Sequence, residues 1–252
     1  MVFVKYHCKP GDEQAILSVR ITTSHPGLSL SALRDPSPTA VLTLQFHIRC
    51  ISSDRPAQPL TMCTSGTLFD AIKPEDGPMD NLARGMLGSG LVSTNASDGS
   101  RKAISLGNFR VHRVRQDNDD AENLRQRPGT NFITVPAQES GETVKVSHAI
   151  SSEHLFAYAE RTTPSLLRIG ERYDIRALEG YVAATWWCWG SLNGDLKNKK
   201  LSSFQRPYHP CHDEGAIPED RERPGWVTGE HIARLKFEME AGGECCSVEV
   251  IE

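Results

Sequence analysis

The sequence predicts an all-β fold: an antiparallel β-sandwich with long loops and one or two short helices. Three observations predict it. Apolar residues recur at every second position in most of the patterned segments, as half-buried strands require. Helical periodicity is confined to short pieces, and strands do not alternate with helices as a parallel βαβ sheet demands. Clusters of Gly, Pro, Asn, Asp and Ser punctuate the segments, leaving roughly eight to ten strands of the kind that build sandwiches.

In chain order, "AILSVRIT" puts Leu17, Val19 and Ile21 on one face. "VLTLQFHIRC" is the clearest element: Leu42, Leu44, Phe46, Ile48 and Cys50 alternate with Thr43, Gln45, His47 and Arg49. "LTMCTSGTLF" and "ISLGNFRVHRV" are weaker versions, and "ETVKVSHAI" aligns Val144, Val146, His148 and Ile150. In "TWWCWG", read as a strand, Thr185, Trp187 and Trp189 point one way, and Trp186 and Cys188 the other. Asn193-Gly194 predicts a tight hairpin turn just after it. "EHIARLKFEME" alternates Ala233, Leu235, Phe237 and Met239 with charged residues, and its regularity favours a strand over a charged helix. Helix is expected in "SSEHLFAYAE", capped by Ser151 or Ser152, and in "MDNLARGML" near Asp80.

Three long connections interrupt this pattern: Asp70 to Lys102, Gln116 to Gly129, and Ser191 to Trp226. Loops of such length in a compact domain are functional or disordered. We expect one elaborated domain over residues 1–252, its C-terminal part, 191–252, consisting of a long loop and closing strands.

Lys and Arg number 28 against 32 Asp and Glu, a formal net charge of −4, so nucleic acid is not expected as a partner. The opening "MVFVKYHCKPGDEQ" is too short in apolar residues for a secretory signal, and no run is long enough to span a membrane. The seven cysteines are scattered apart from Cys245 and Cys246. Reduced thiols in the cytoplasm are the expectation, under which the sequon Asn95-Ala96-Ser97 carries no meaning.

The stretch "FITVPAQESGETVKVSHAISSEHLFAYAERTTPSLLRIGERYDIRA", Phe132 to Ala177, resembles the strand, turn and short helix of immunoglobulin-like β-sandwich segments in uncharacterised fungal proteins. It is also similar to the sandwich-like propeptides of fungal deuterolysin-type metalloproteases. The resemblance implies an immunoglobulin-like form of the sandwich. It does not carry protease activity, because the zinc motif His-Glu-x-x-His is absent: Leu155 follows His154, Asp213 follows His212 and Ile232 follows His231. Cofactor-free cyclases of fungal natural-product pathways arise among such proteins, and the likeness implies that activity class without assigning residues to it.

"YHPCHDEG" gathers His209, Cys211, His212, Asp213 and Glu214, all able to bind metal or move protons. Structural zinc sites draw ligands from a second knuckle, and none follows, so a Pro-stiffened solvated loop is the plainer reading and no metal is expected. There is no Gly-x-Ser-x-Gly elbow and no phosphate-binding loop; "LARGMLGSG" lacks a preceding strand. Lys197, Lys199 and Lys200 read as a solvated face or a charged edge strand, with an anionic-substrate site as the other reading. His148 is either a hydrogen-bonded core histidine or a base, and Glu153 either orients it or supports the helix. The catalytic candidates are therefore His148, His209 and His212.

Three of the four tryptophans lie within Trp186–Trp189. Burying one indole removes on the order of 200 Å² from water, worth about 5 kcal/mol at about 25 cal/mol per Å² before entropy. One reading packs Trp186 in the core and lays Trp187 and Trp189 under the third connection, covered by Phe204, Tyr208 and Trp226. The other makes those five residues an apolar pocket for a terpenoid or polyketide-like small molecule, held without cofactor and cyclised by orientation alone. A non-catalytic module that uses loops or a strand edge to bind a protein is the alternative function.

Overall fold

The computed structural model describes residues 11–35, 39–64, 67–70, 91–93, 103–104, 131–152, 163–177, 182–201, 225–227 and 229–252. These are mostly β. Fourteen strands are found among them, with one α-helix, α1 (Leu30–Arg34), and short 3-10 turns. No helix among the described residues is long and apolar enough to cross a membrane.

The first sheet is built around β3 (Ala40–Ser53), with β1 (Ala15–Thr23) on one side and β8 (Val144–Ser151) on the other; β13 (Leu235–Met239) lies beyond β1. The alternation of β3 is fully expressed: Leu42, Leu44, Phe46, Ile48 and Cys50 are buried, and Thr43, Gln45, His47 and Arg49 face outward. Each buried aliphatic or Phe side chain here contributes about 1.5–3 kcal/mol of transfer free energy, which fixes the register against a one-residue slip.

The second sheet has the order β2 (Gly27–Ser29), β14 (Cys245–Ile251), β9 (Arg172–Arg176), β5 (Leu91–Ser93), β6 (Ala103–Ile104). A third joins β10 (Trp186–Trp189), β4 (Leu60–Cys63) and β7 (Phe132–Val135), and β11 (Lys200–Leu201) pairs with β12 (Trp226–Val227). One apolar cluster takes residues from the first three sheets, among them Phe46, Met62, Tyr173, Trp187 and Val248.

Two expectations need correction. The sheets are not purely antiparallel: β1 runs parallel to β13, β2 to β14 and β11 to β12. Period-two alternation reports which face is buried and carries no information about partner direction, so strands distant in sequence can pair in parallel unseen. Nor does Asn193-Gly194 make a two-residue hairpin. The chain after Trp189 winds through successive turns, in which Ser191 C=O accepts from Gly194 and Leu196 N–H and Leu196 C=O accepts from Lys199 N–H. The partner of β10 is β4. Gly190, at φ 111°, makes the bend; a Cβ there would stand 3.1 Å from Asp195 Cβ.

Helix α1 was not expected. Ser29 caps it, its Oγ accepting from Ala32 N–H at 3.2 Å, while Leu30 and Leu33 are buried. Of "SSEHLFAYAE", Ser151 ends β8 and Ser152 begins a turn; its remaining residues and "MDNLARGML" lie outside the described residues. The same holds for most of the three long connections and for "ISLGNFRVHRV" beyond Ile104.

Candidate functional site

The aromatic strand β10 lies beside β4 with Trp187 opposite Met62 and Trp189 opposite Leu60. Its alternation sends Trp187 and Trp189 into the main core, and Trp186 and Cys188 into a second cluster with Cys63 and Leu196, flanked by Phe132, Leu192 and Val227. Trp186 is 1% exposed, Trp187 0% and Trp189 7%. The assignment of faces is thus the reverse of the sequence reading: Trp187 and Trp189 are core residues, and Trp186 is the one beneath the turns that follow Gly190. Trp187 and Trp189 are packed by the protein's own chain.

Specific contacts hold the cluster. The Trp187 and Trp189 rings meet edge to face at 5.3 Å, and Trp186 meets Phe132 likewise at 5.8 Å. Trp187 Nε1–H donates to His231 C=O at 3.2 Å, and Trp187 C=O accepts from Glu230 N–H at 2.8 Å. The segment at 229–231 therefore seals the free side of β10. Trp189 differs: its Nε1–H is buried without a hydrogen-bond partner among the described residues, and the Arg55 guanidinium lies 5.3 Å from the ring centroid. Gln14 Oε1 is a second buried atom with no partner among the described residues. Gln14 C=O accepts from Asp54 N–H, the residue before Arg55. Phe204 and Tyr208 lie outside the described residues; the Trp226 backbone pairs with Lys200 in β12, and its side chain is not described.

His148 is 1% exposed and packs edge to face on Phe46 at 5.2 Å. Burial lowers its pKa to about 4, partly offset by a hydrogen bond to the Leu68 backbone, so the ring is neutral at neutral pH. His209, Cys211, His212, Asp213, Glu214 and Glu153 lie outside the described residues, among which no three His, Cys, Asp or Glu side chains group as metal ligands. Lys197 and Lys200 are exposed and Lys199 is partly so. Among the described residues, Cys50, Cys188, Cys245 and Cys246 form no disulfide, and burial pushes the Cys246 thiol up to about 12.

Two further features were not picked out from the sequence. The outer face of the first sheet juxtaposes Arg20, His47 and Lys145, through pairing of Arg20 with His47 and of His47 with Lys145. The eight-residue strand β8 forms one edge of that sheet: among the described residues, only β3 pairs with it. Neither is visible before register is known. No family model matches the chain, and neither a curated protein nor a solved structure is similar to it.

Proposed function

We propose that the chain is a non-catalytic binding module of immunoglobulin-like sandwich form that engages a protein partner along the edge of β8. The observation that carries this reading is the length of that edge. Among the described residues, β3 is the one strand that pairs with the eight residues Val144–Ser151. An edge strand presents a row of backbone N–H and C=O groups for an added strand, and β8 carries only Lys145 as a charged guard. The common core beneath the sheets supports the sandwich form. The reading is tested by placing a photo-crosslinking residue at Ser147 in the cells that make the protein, with Ser247 on the second sheet as control. A discrete adduct at Ser147 alone is expected; equal yields at both positions would remove the edge from consideration.

A second reading is favoured by one observation, the indole N–H of Trp189, which has no partner among the described residues. Buried polar groups in native proteins nearly always have partners, so a small, largely apolar guest bearing one acceptor would complete this one. Cofactor-free cyclisation belongs to this reading, with Trp189 as the orienting donor. Native mass spectrometry of the purified protein tests it: a bound mass that is lost in Trp189→Phe is expected, and a clean apo mass in the parent opposes it.

A further inference from the structure

The solvent face of the first sheet sets an imidazole between two cations. Arg20 on β1 is directly opposite His47 on β3, and His47 is directly opposite Lys145 on β8. Arg49, two residues along β3, shares their face and is exposed, as are Arg20 and Lys145. His47 therefore has a cation on either side and a third along its own strand. Neighbouring strands lie about 4.8 Å apart and same-face residues about 7 Å apart, so the Arg and Lys side chains are long enough to turn toward the imidazole.

Like charges directly opposite one another destabilise a sheet, and a chain with a net charge of −4 has carboxylates enough to avoid it. Here they are sparse. Glu240 approaches Arg20 at 3.8 Å while accepting from Ser18 Oγ at 3.0 Å, and Lys236 and Glu238 on β13 neutralise each other at 2.8 Å. Among the described residues, no carboxylate pairs with Arg49 or Lys145. The His47 ring is held by Thr22 Oγ1, 2.9 Å from Nε2, and Gln45 and Ser147 complete the polar surroundings.

We propose that Arg20, His47, Arg49 and Lys145 form a binding site for a small polyanion of the pyrophosphate type, seated over His47. Guanidinium and ammonium groups carried side by side on three neighbouring strands can turn toward adjacent phosphoryl groups, whereas one carboxylate would satisfy only one of them. Glu238 and Glu240 bound the face on the β13 side and repel a long polyanion lying across the sheet, which limits the ligand to a small one. The site shares Lys145 with the β8 edge strand but lies on the solvent face of the sheet and does not use that edge's backbone.

The imidazole gives the site a proton linkage. Burial first, then Arg20 and Lys145, hold the His47 pKa below its usual value, with Glu240 opposing. A bound anion favours the imidazolium, so binding takes up a proton and strengthens as pH falls toward the pKa of the empty site.

The test is an NMR titration of the full chain with sodium pyrophosphate, following the His47 ring, with sodium chloride at matched ionic strength as control. A saturable shift is expected, with the His47 pKa raised by about one unit. Arg49→Gln and Lys145→Gln, both at exposed positions, should each weaken binding roughly three- to tenfold with the backbone spectrum unchanged. His47→Gln should bind at about pH 8 but lack the parent's extra gain toward about pH 6, a comparison that cancels protonation of the ligand. An equal response to chloride would reduce the effect to screening and overturn the proposal, as would parent-like affinity in both charge variants. Tighter binding of a single-stranded oligonucleotide than of pyrophosphate would overturn the small-ligand assignment.

Discussion

Gly229 lies against the indole of Trp186 so closely that a methyl group in its place would overlap Nε1 and press on Cδ1 and Cε2. The glycine is required by this approach and not by its backbone angles. It lets the segment ending in the Glu230 N–H bond to Trp187 C=O close over β10. Gly229→Ala should therefore destabilise the fold by about 1–3 kcal/mol, the usual cost of overpacking a filled site. Urea unfolding followed by tryptophan fluorescence measures it; an unchanged midpoint would mean that the segment moves aside freely.

The two core indoles should respond differently to loss of their N–H. Trp187→Phe removes the donor to His231 C=O and part of a fully buried ring. Trp189→Phe removes a donor that has no partner. Deleting one member of a made hydrogen bond strands the other, at about 1–3 kcal/mol, whereas deleting a lone buried donor relieves a desolvation cost. Trp187→Phe should therefore be the more destabilising by at least about 1 kcal/mol, compared by denaturant unfolding of the two variants. The reverse order would show that a water or a guest satisfies Trp189 Nε1.

His148 makes stability depend on pH in a defined window. Its folded pKa, about 4, lies below the ordinary histidine value of 6.5. Above that ordinary value the ring is neutral in both states and its full contribution is present. As pH falls, the unfolded chain takes up a proton that the folded chain refuses, so stability is lost between about pH 6.5 and 4, by about 3 kcal/mol in total. His148→Gln should flatten the pH dependence across this window relative to the parent, measured by unfolding at a series of pH values. Parallel curves for the two proteins would place the acid sensitivity elsewhere.

How far these features were legible depends on whether a residue's role is set by its own strand or by its neighbour's. Strands with one buried face, β1, β3 and β8, declare themselves because Leu17, Phe46 and Val146 alternate with polar residues. β9 is buried at Tyr173, Asp174 and Ile175 in succession, which erases the period of two. The tryptophans stood out by number, but alternation defines two faces without saying which meets the core. The Arg20–His47–Lys145 row is created by register between three strands, and single-strand patterning holds no trace of it. α1 is only five residues long, too short for a helical period to emerge around its Ser29 cap.

Cys245 and Cys246 are adjacent on β14 yet face opposite ways, and their chemistry should separate accordingly. Cys246 is buried in the main core, and burial raises its thiol to about 12. Cys245 is partly exposed opposite Arg176, on the face where Asp174 accepts from Ser247 Oγ at 2.6 Å. Its pKa is also raised, by burial first and then by the Asp174 carboxylate, with Arg176 opposing. Thiolate is the reacting form, so maleimide at neutral pH should label Cys245 slowly and Cys246 only on unfolding, as located by peptide mass spectrometry. Asp174→Asn removes the repelling charge and should speed labelling of Cys245 by roughly two- to fivefold while leaving Cys246 protected. Faster labelling of both thiols in that variant would mean that the Asp174–Ser247 bond holds β9 against β14, and that the effect is opening of the sheet and not electrostatics.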